Sequence, residues 1–146
     1  NKNIYSYRSN RGALRRKGGS GLSHFSTIQT EITNKGYLLE ALRQMGYETE
    51  ENTVIRGYRG QETAVAVAAR AGQGYDIGFL AREGGGYDIV ADWFGVQGIK
   101  EQDFATRLRQ QYAVATVTDQ VNRQGFQVVE QQDADGRIRI VARRWV

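Results

Sequence analysis

One histidine, three aspartates within seventeen residues and four arginines near the C-terminal end are the residues whose types and spacing could carry chemistry. His24 is the single histidine, and there is no cysteine. Thiol nucleophiles, thiolate metal ligands and disulfides are therefore excluded, and one imidazole cannot build a three-ligand zinc site. His24 can serve as a lone general base; on a strand, on the side of Ile28 and Ile32, it reads better as a hydrogen-bonded structural residue. Asp76, Asp88 and Asp92 offer the paired carboxylates of acid–base or metal chemistry, yet aspartates beside turns are common for structural reasons alone. An enzyme using His24 with these aspartates needs a pocket that joins them. Gly72-Gln73-Gly74 with Gly78 loosely imitates a dinucleotide loop, but the turn opens an alternating, strand-like run, and no lysine stands where a phosphate loop needs one. No recognisable catalytic site emerges, and no cofactor or metal is expected.

Binding is the better expectation. Around the glycines, Tyr75, Asp76, Tyr87, Asp88, Asp92 and Trp93 combine acid with aromatic surface, which suits a basic partner segment. On the last strand, Arg137, Arg139 and Arg143 share a face with Val141 and Trp145, with Arg144 beside them. Such a face can dock an acidic partner or stack on bases, or it can simply be a charged edge that resists aggregation.

The elements that must position these residues follow from periodicity. His24–Ile32 alternates and predicts a strand. Thr33 or Asn34 can cap a helix over Tyr37–Met45, with Leu38, Leu39, Leu42 and Met45 on one face and Gly46 ending it. Thr53–Arg59 predicts a strand. Glu62–Arg70 is rich in alanine, but Val65 and Val67 alternate with Ala64, Ala66 and Ala68, so a strand is preferred to a helix. Gly74-Tyr75-Asp76-Ile77 recurs as Gly86-Tyr87-Asp88-Ile89, and with Gly84-Gly85 between them this predicts a hairpin with similar arms. Glu101–Leu108 is helical, and Val114, Val117 and Val121 continue the stripe toward Gly125; a break near Tyr112 is left open. Phe126–Gln131 and Arg137–Val146 predict strands joined at Asp133-Ala134-Asp135-Gly136. The order β-α-β-β-β-β-α-β-β predicts an α+β two-layer sandwich, mainly antiparallel, with helices on one face.

The charge divides unevenly. The 146 residues carry 20 Lys+Arg and 16 Asp+Glu, net +4. Residues 1–21 hold six basic residues and no acid; residues 22–146 hold 14 against 16, net −2. Gly18-Gly19-Ser20-Gly21 has the composition of a flexible linker. We therefore expect two parts, a basic segment with its linker at 1–21 and one α+β domain at 22–146. The front piece, carrying Ile4, Tyr5, Tyr7, Arg8, Arg11, Arg15 and Arg16, reads as a tethered peptide, either an engineered fusion of a partner's segment or a native tail. Ile4–Arg8 alternates and can add as a strand to a sheet edge; Gly12–Lys17 could instead form a helical turn. No apolar run is long enough to span a bilayer, so a soluble chain is expected.

Ser23-His24-Phe25-Ser26-Thr27-Ile28-Gln29-Thr30-Glu31-Ile32 resembles the opening of the hypothetical chloroplast reading frame thirty-five family. The resemblance extends through Leu38–Gly46, Tyr75-Asp76-Ile77-Gly78-Phe79, Gln111-Tyr112-Ala113, Gly125-Phe126 and Arg143-Arg144-Trp145. Members usually begin with methionine before that serine, where this chain has Leu22. The resemblance implies a cyanobacterial cytoplasm or plastid stroma and supplies no catalytic residues. The function expected is a non-enzymatic protein-binding module, an assembly or regulatory factor that takes a basic peptide segment of a photosynthetic or redox partner. The alternative is a nucleic-acid binder acting through Arg137, Arg139, Arg143 and Trp145.

Overall fold

The computed structural model describes residues 24–133 and 137–144 with their side chains, and the backbone alone at Lys2–Arg8, Arg15–Lys17 and Ala134. Its elements are β1 (Lys2–Arg8), β2 (Arg15–Lys17), β3 (Ser26–Gln29), α1 (Lys35–Gln44), β4 (Glu48–Arg56), β5 (Glu62–Arg70), β6 (Ile77–Ala81), β7 (Tyr87–Ala91), α2 (Glu101–Arg123), β8 (Phe126–Ala134) and β9 (Arg137–Arg144). From β3 onward the order is the expected β-α-β-β-β-β-α-β-β. Every strand pairing is antiparallel, and the strands form two sheets, β2-β3-β7-β6-β5-β4 and β1-β9-β8.

Local chemistry sets the boundaries. The alternation from His24 gives Ser26, Ile28, Thr30 and Ile32 buried positions. The strand itself stops at Gln29 because Thr30 takes over: its hydroxyl donates to the Tyr87 carbonyl at 2.6 Å and accepts from the Ile32 N–H at 3.1 Å. Asn34 caps α1 by accepting from the Tyr37 N–H at 2.9 Å. At the far end Gly46 takes φ 90°, and the Tyr47 and Gly46 N–H groups donate to the Leu42 and Arg43 carbonyls.

β4 starts five residues earlier than its hydrophobic pattern suggests. Glu48, Glu50 and Glu51 are poor strand formers, but pairing along β5 overrides propensity. The strand also ends earlier, since 57–61 closes as a turn with the Gly57 N–H donating to the Gln61 carbonyl. Arg59 sits there at φ 55°. Glu62–Arg70 is a strand, as its alternation predicts.

α2 runs unbroken through Tyr112 for 23 residues and serves two cores. Its first half sends Phe104, Ala105 and Leu108 into the main core with Leu38, Leu42, Val67, Ile77, Phe79 and Ile89. Its second half sets Val114 and Val117 against Val128, Ile138 and Ile140 of the second sheet. A third, smaller cluster of Ile55, Val65, Ala68 and Val90 packs beside Phe25 and Leu80. Val65 and Val67 thus serve different clusters, although a regular strand puts i and i+2 on one face. Asn52, at φ 50°, stands in the partner strand between the residues paired with them. Gly78 makes the resulting close approach possible, because a Cβ there would meet the Ile55 Cδ1 at 3.0 Å and strike Val65.

The front segment adds to both sheets. β1 pairs along β9 from Lys2↔Arg143 to Arg8↔Arg137, the strand addition expected of Ile4–Arg8. β2 pairs along β3, from Arg15↔Gln29 to Lys17↔Thr27, so Arg15–Lys17 is strand rather than helical turn. Arg11, the glycine linker, Leu22 and Trp145 lie outside the described residues.

Candidate peptide-binding edge

The six acidic and aromatic residues singled out in the sequence do not converge on one open surface. The two Gly-Tyr-Asp-Ile copies sit at opposite ends of β6, Asp76 before it and Asp88 beyond its turn, opposite Leu80. Each aspartate closes its own loop with an arginine six residues earlier. The Arg70 guanidinium donates to Asp76 at 2.7 Å, and that of Arg82 to Asp88 at 2.6 Å. The repeat is therefore longer than it looks: Ala-Arg-x-Gly-x-Gly-Tyr-Asp-Ile occurs at 69–77 and again at 81–89. Its glycines at 72, 74, 84 and 86 all take positive φ, which L side chains resist. Burial opposes the Arg70 charge, but bonds to Glu50 and Asp76 outweigh it and raise the guanidinium pKa.

Asp92 is only 2% exposed, and both of its oxygens are used. They accept from the Tyr58 N–H at 2.9 Å and the Phe94 N–H at 3.3 Å. Tyr75 donates its N–H to the Gly95 carbonyl, and Tyr87 donates its own to that of Ile32. Trp93 packs on Phe104 with its indole N–H buried and unpartnered. These residues hold turns and core together.

His24 is exposed, not buried among Ile28 and Ile32, because the strand begins only at Ser26. Its ring lies 4.4 Å from that of Tyr58, and the Arg59 guanidinium lies 5.2 Å from the same ring. Asp92 thus ties a His24–Tyr58–Arg59 cluster to Phe94, which is 92% exposed. Asp76 and Asp88 are instead held by arginines in their own loops. No group of three or more histidine, aspartate or glutamate side chains is placed to hold a metal among the described residues.

Sequence reasoning also missed a polar seam between the helices. The Tyr37 hydroxyl donates to Asp119 at 2.5 Å, Arg123 donates to the same carboxylate at 3.0 Å, and the Tyr112 hydroxyl accepts from the Asn34 N–H. The Tyr37 hydrogen bond, aided by Arg123, holds the Asp119 carboxyl below its ordinary pKa, and the same bond, against the pull of Arg123, raises that of Tyr37. A groove of about 660 Å³ opens beside this seam, between α1, α2 and β8. The i, i+4 pair Asp119 and Arg123 is the one sequence signal that could have pointed to it.

What the fold does assemble is an edge. Without β1, the outer side of β9 would present a row of unpaired backbone groups. Along that strand Arg137, Arg139 and Arg143 are exposed, while Ile138, Ile140 and Ala142 are fully or almost fully buried. Val141 shares the arginines' parity and is 6% exposed. β1 occupies this edge over seven consecutive register pairs. Tyr5 and Tyr7 stand opposite Ile140 and Ile138; Lys2, Ser6 and Arg8 stand opposite the three arginines.

No helix among the described residues is long and apolar enough to cross a membrane. No solved structure matches the chain. A relative described as uncharacterized protein ycf35, from Cyanophora paradoxa, is 32% identical over 126 residues, covering 85% of this chain and 98% of the relative. Proteins of the same description from Guillardia theta and Pyropia yezoensis are 30% and 29% identical over the same lengths. These matches leave about 15% of this chain outside. A family model described as protein of unknown function DUF1257 matches residues 41–141, from the middle of α1 into β9. The chain belongs to this DUF1257 family, the family of the ycf35 proteins.

Proposed function

We propose that this domain is a non-enzymatic protein-binding module that accepts an extended segment as an added strand along β9, serving as an assembly or regulatory factor in plastids or cyanobacteria. The observation that carries the reading is the seven-pair antiparallel register of Lys2–Arg8 on Arg137–Arg143. Strand addition draws affinity from main-chain hydrogen bonds and selectivity from alternate side chains. Here the alternate positions fall over a buried apolar row and an arginine row. The relatives are matched along 98% of their length by 85% of this chain, and the family model covers residues 41–141, which supports treating the front segment as a tethered strand beside the matched body.

The test uses the whole chain with Tyr5→Pro and Tyr7→Pro together, since proline removes ladder donors. Amide exchange at 137–143 should accelerate in the variant and slow again when a peptide of residues 1–17 is added. Unchanged exchange, or no protection by the peptide, overturns the reading. A second reading, nucleic-acid binding, draws on the exposed arginines of β9. It requires single-stranded nucleic acid to bind with steep salt dependence, and to lose affinity on Arg139→Gln and Arg143→Gln.

A further inference from the structure

From the charges along the β9 edge we infer that its preferred occupant is an acidic extended segment of another protein, and that the chain's own front strand is a weak placeholder this segment displaces. The inference rests on the strand-addition reading above and adds the chemistry of the partner.

Three register pairs decide it. Lys2 stands opposite Arg143 and Arg8 opposite Arg137, so both ends of the β1–β9 ladder set like charges across from one another. Directly opposed like charges destabilise a sheet, and opposed unlike charges stabilise it by a similar amount. At the third arginine, Arg139, the front strand offers only Ser6. No acid lies anywhere in residues 1–21. The row of three exposed arginines is therefore left without a carboxylate by its own strand.

The other strand beside β9 does little to help. β8 places Gln127, Gln132 and Ala134 opposite Arg143, Arg139 and Arg137. Its two acids stand opposite no arginine: Asp133 pairs with Ile138, while Glu130 pairs with Val141 and accepts from the Gln132 amide. A positive row on one face, beside a fully buried apolar row on the other, specifies its complement. The partner segment runs antiparallel, with apolar residues opposite Ala142, Ile140 and Ile138 and acids opposite Arg143, Arg139 and Arg137. In order this reads acid-apolar-x-apolar-acid-apolar-acid, a pattern the front strand matches in its apolar half only at Tyr5 and Tyr7.

The experiment uses the full chain and two labelled twelve-residue peptides. One has the core Glu-Val-Thr-Val-Glu-Val-Glu, the other Lys-Val-Thr-Val-Lys-Val-Lys, each with the same glycine–serine flanks. Binding is read by fluorescence anisotropy and located by amide exchange at 137–143. At low salt the acidic peptide should bind at least about tenfold more tightly, with the margin shrinking as salt screens the pairs. It should displace β1, seen as faster exchange at 2–8, and Arg139→Glu should reverse the preference. Equal binding, or tighter binding of the lysine peptide, overturns the acidic specificity while leaving strand addition intact. Failure of both peptides, in the parent and in the Tyr5→Pro/Tyr7→Pro chain, overturns strand addition as well. Acidic-peptide binding without protection at 137–143 places the site elsewhere and also overturns the inference.

Discussion

Asp92 is the residue on which most local geometry depends. Two backbone N–H groups from separate turns share its buried carboxylate. Removing a buried acceptor leaves its donors unsatisfied, at about 1–3 kcal/mol for each group stranded. Asp92→Ala should therefore lower stability by about 2–4 kcal/mol in urea denaturation, and Asp92→Asn by less. Gly78→Ala should cost about 1–3 kcal/mol, because the new methyl meets Ile55 and Val65. At this scale the sequence displayed the Tyr-Asp-Ile echo but hid its purpose. The eye pairs Asp76 with Asp88, whereas each is paired with an arginine that only a glycine-bent loop brings near. His24 misled for a related reason: its alternation with Ile28 is real, but the strand that would bury it starts two residues later.

Among the elements, α2 was the most legible and the least expected in its role. Its stripe of Phe104, Leu108, Val114, Val117 and Val121 is plain in the sequence, but that the two halves of the stripe face different sheets is not, because periodicity says which face is buried and not against what. Phe104→Ala should cost about 3–5 kcal/mol, since the ring is fully buried against Tyr47, Phe79 and Trp93. The α1–α2 seam makes a pH prediction. The Asp119 carboxyl is lowered by the Tyr37 hydroxyl, so its contribution is complete above the ordinary aspartate value of 3.8 and is lost as pH falls through the depressed one. Tyr37→Phe should be less stable than the parent near neutrality, and the two unfolding curves should converge only in strongly acidic solution. β4 was the least legible element. Its glutamates carry no strand signal, and the pairing with β5 that makes them a strand is a long-range fact.

For the molecule as a whole, element order was readable and sheet membership was not. The order of strands along the chain cannot tell that β3 and β4, joined by α1, lie four places apart in one sheet while β8 and β9 leave it. Because α2 is shared, the two sheets should not melt separately. Thermal unfolding followed by tyrosine environment and by backbone ellipticity should give one coincident transition, and Val114→Ala should shift both probes together.

The antiparallel seating of β1 also sets how the molecule answers to force. Lys2 lies across from Arg143, so tension between these two positions loads the ladder at its open end and parts it one rung at a time. Such unzipping needs far less force than shearing a whole ladder at once. A pull on the front segment would peel β1 away down to Arg8 while the cores around Phe104 and Ile138 stay closed. The edge can thus be bared mechanically, at the expense of a single strand.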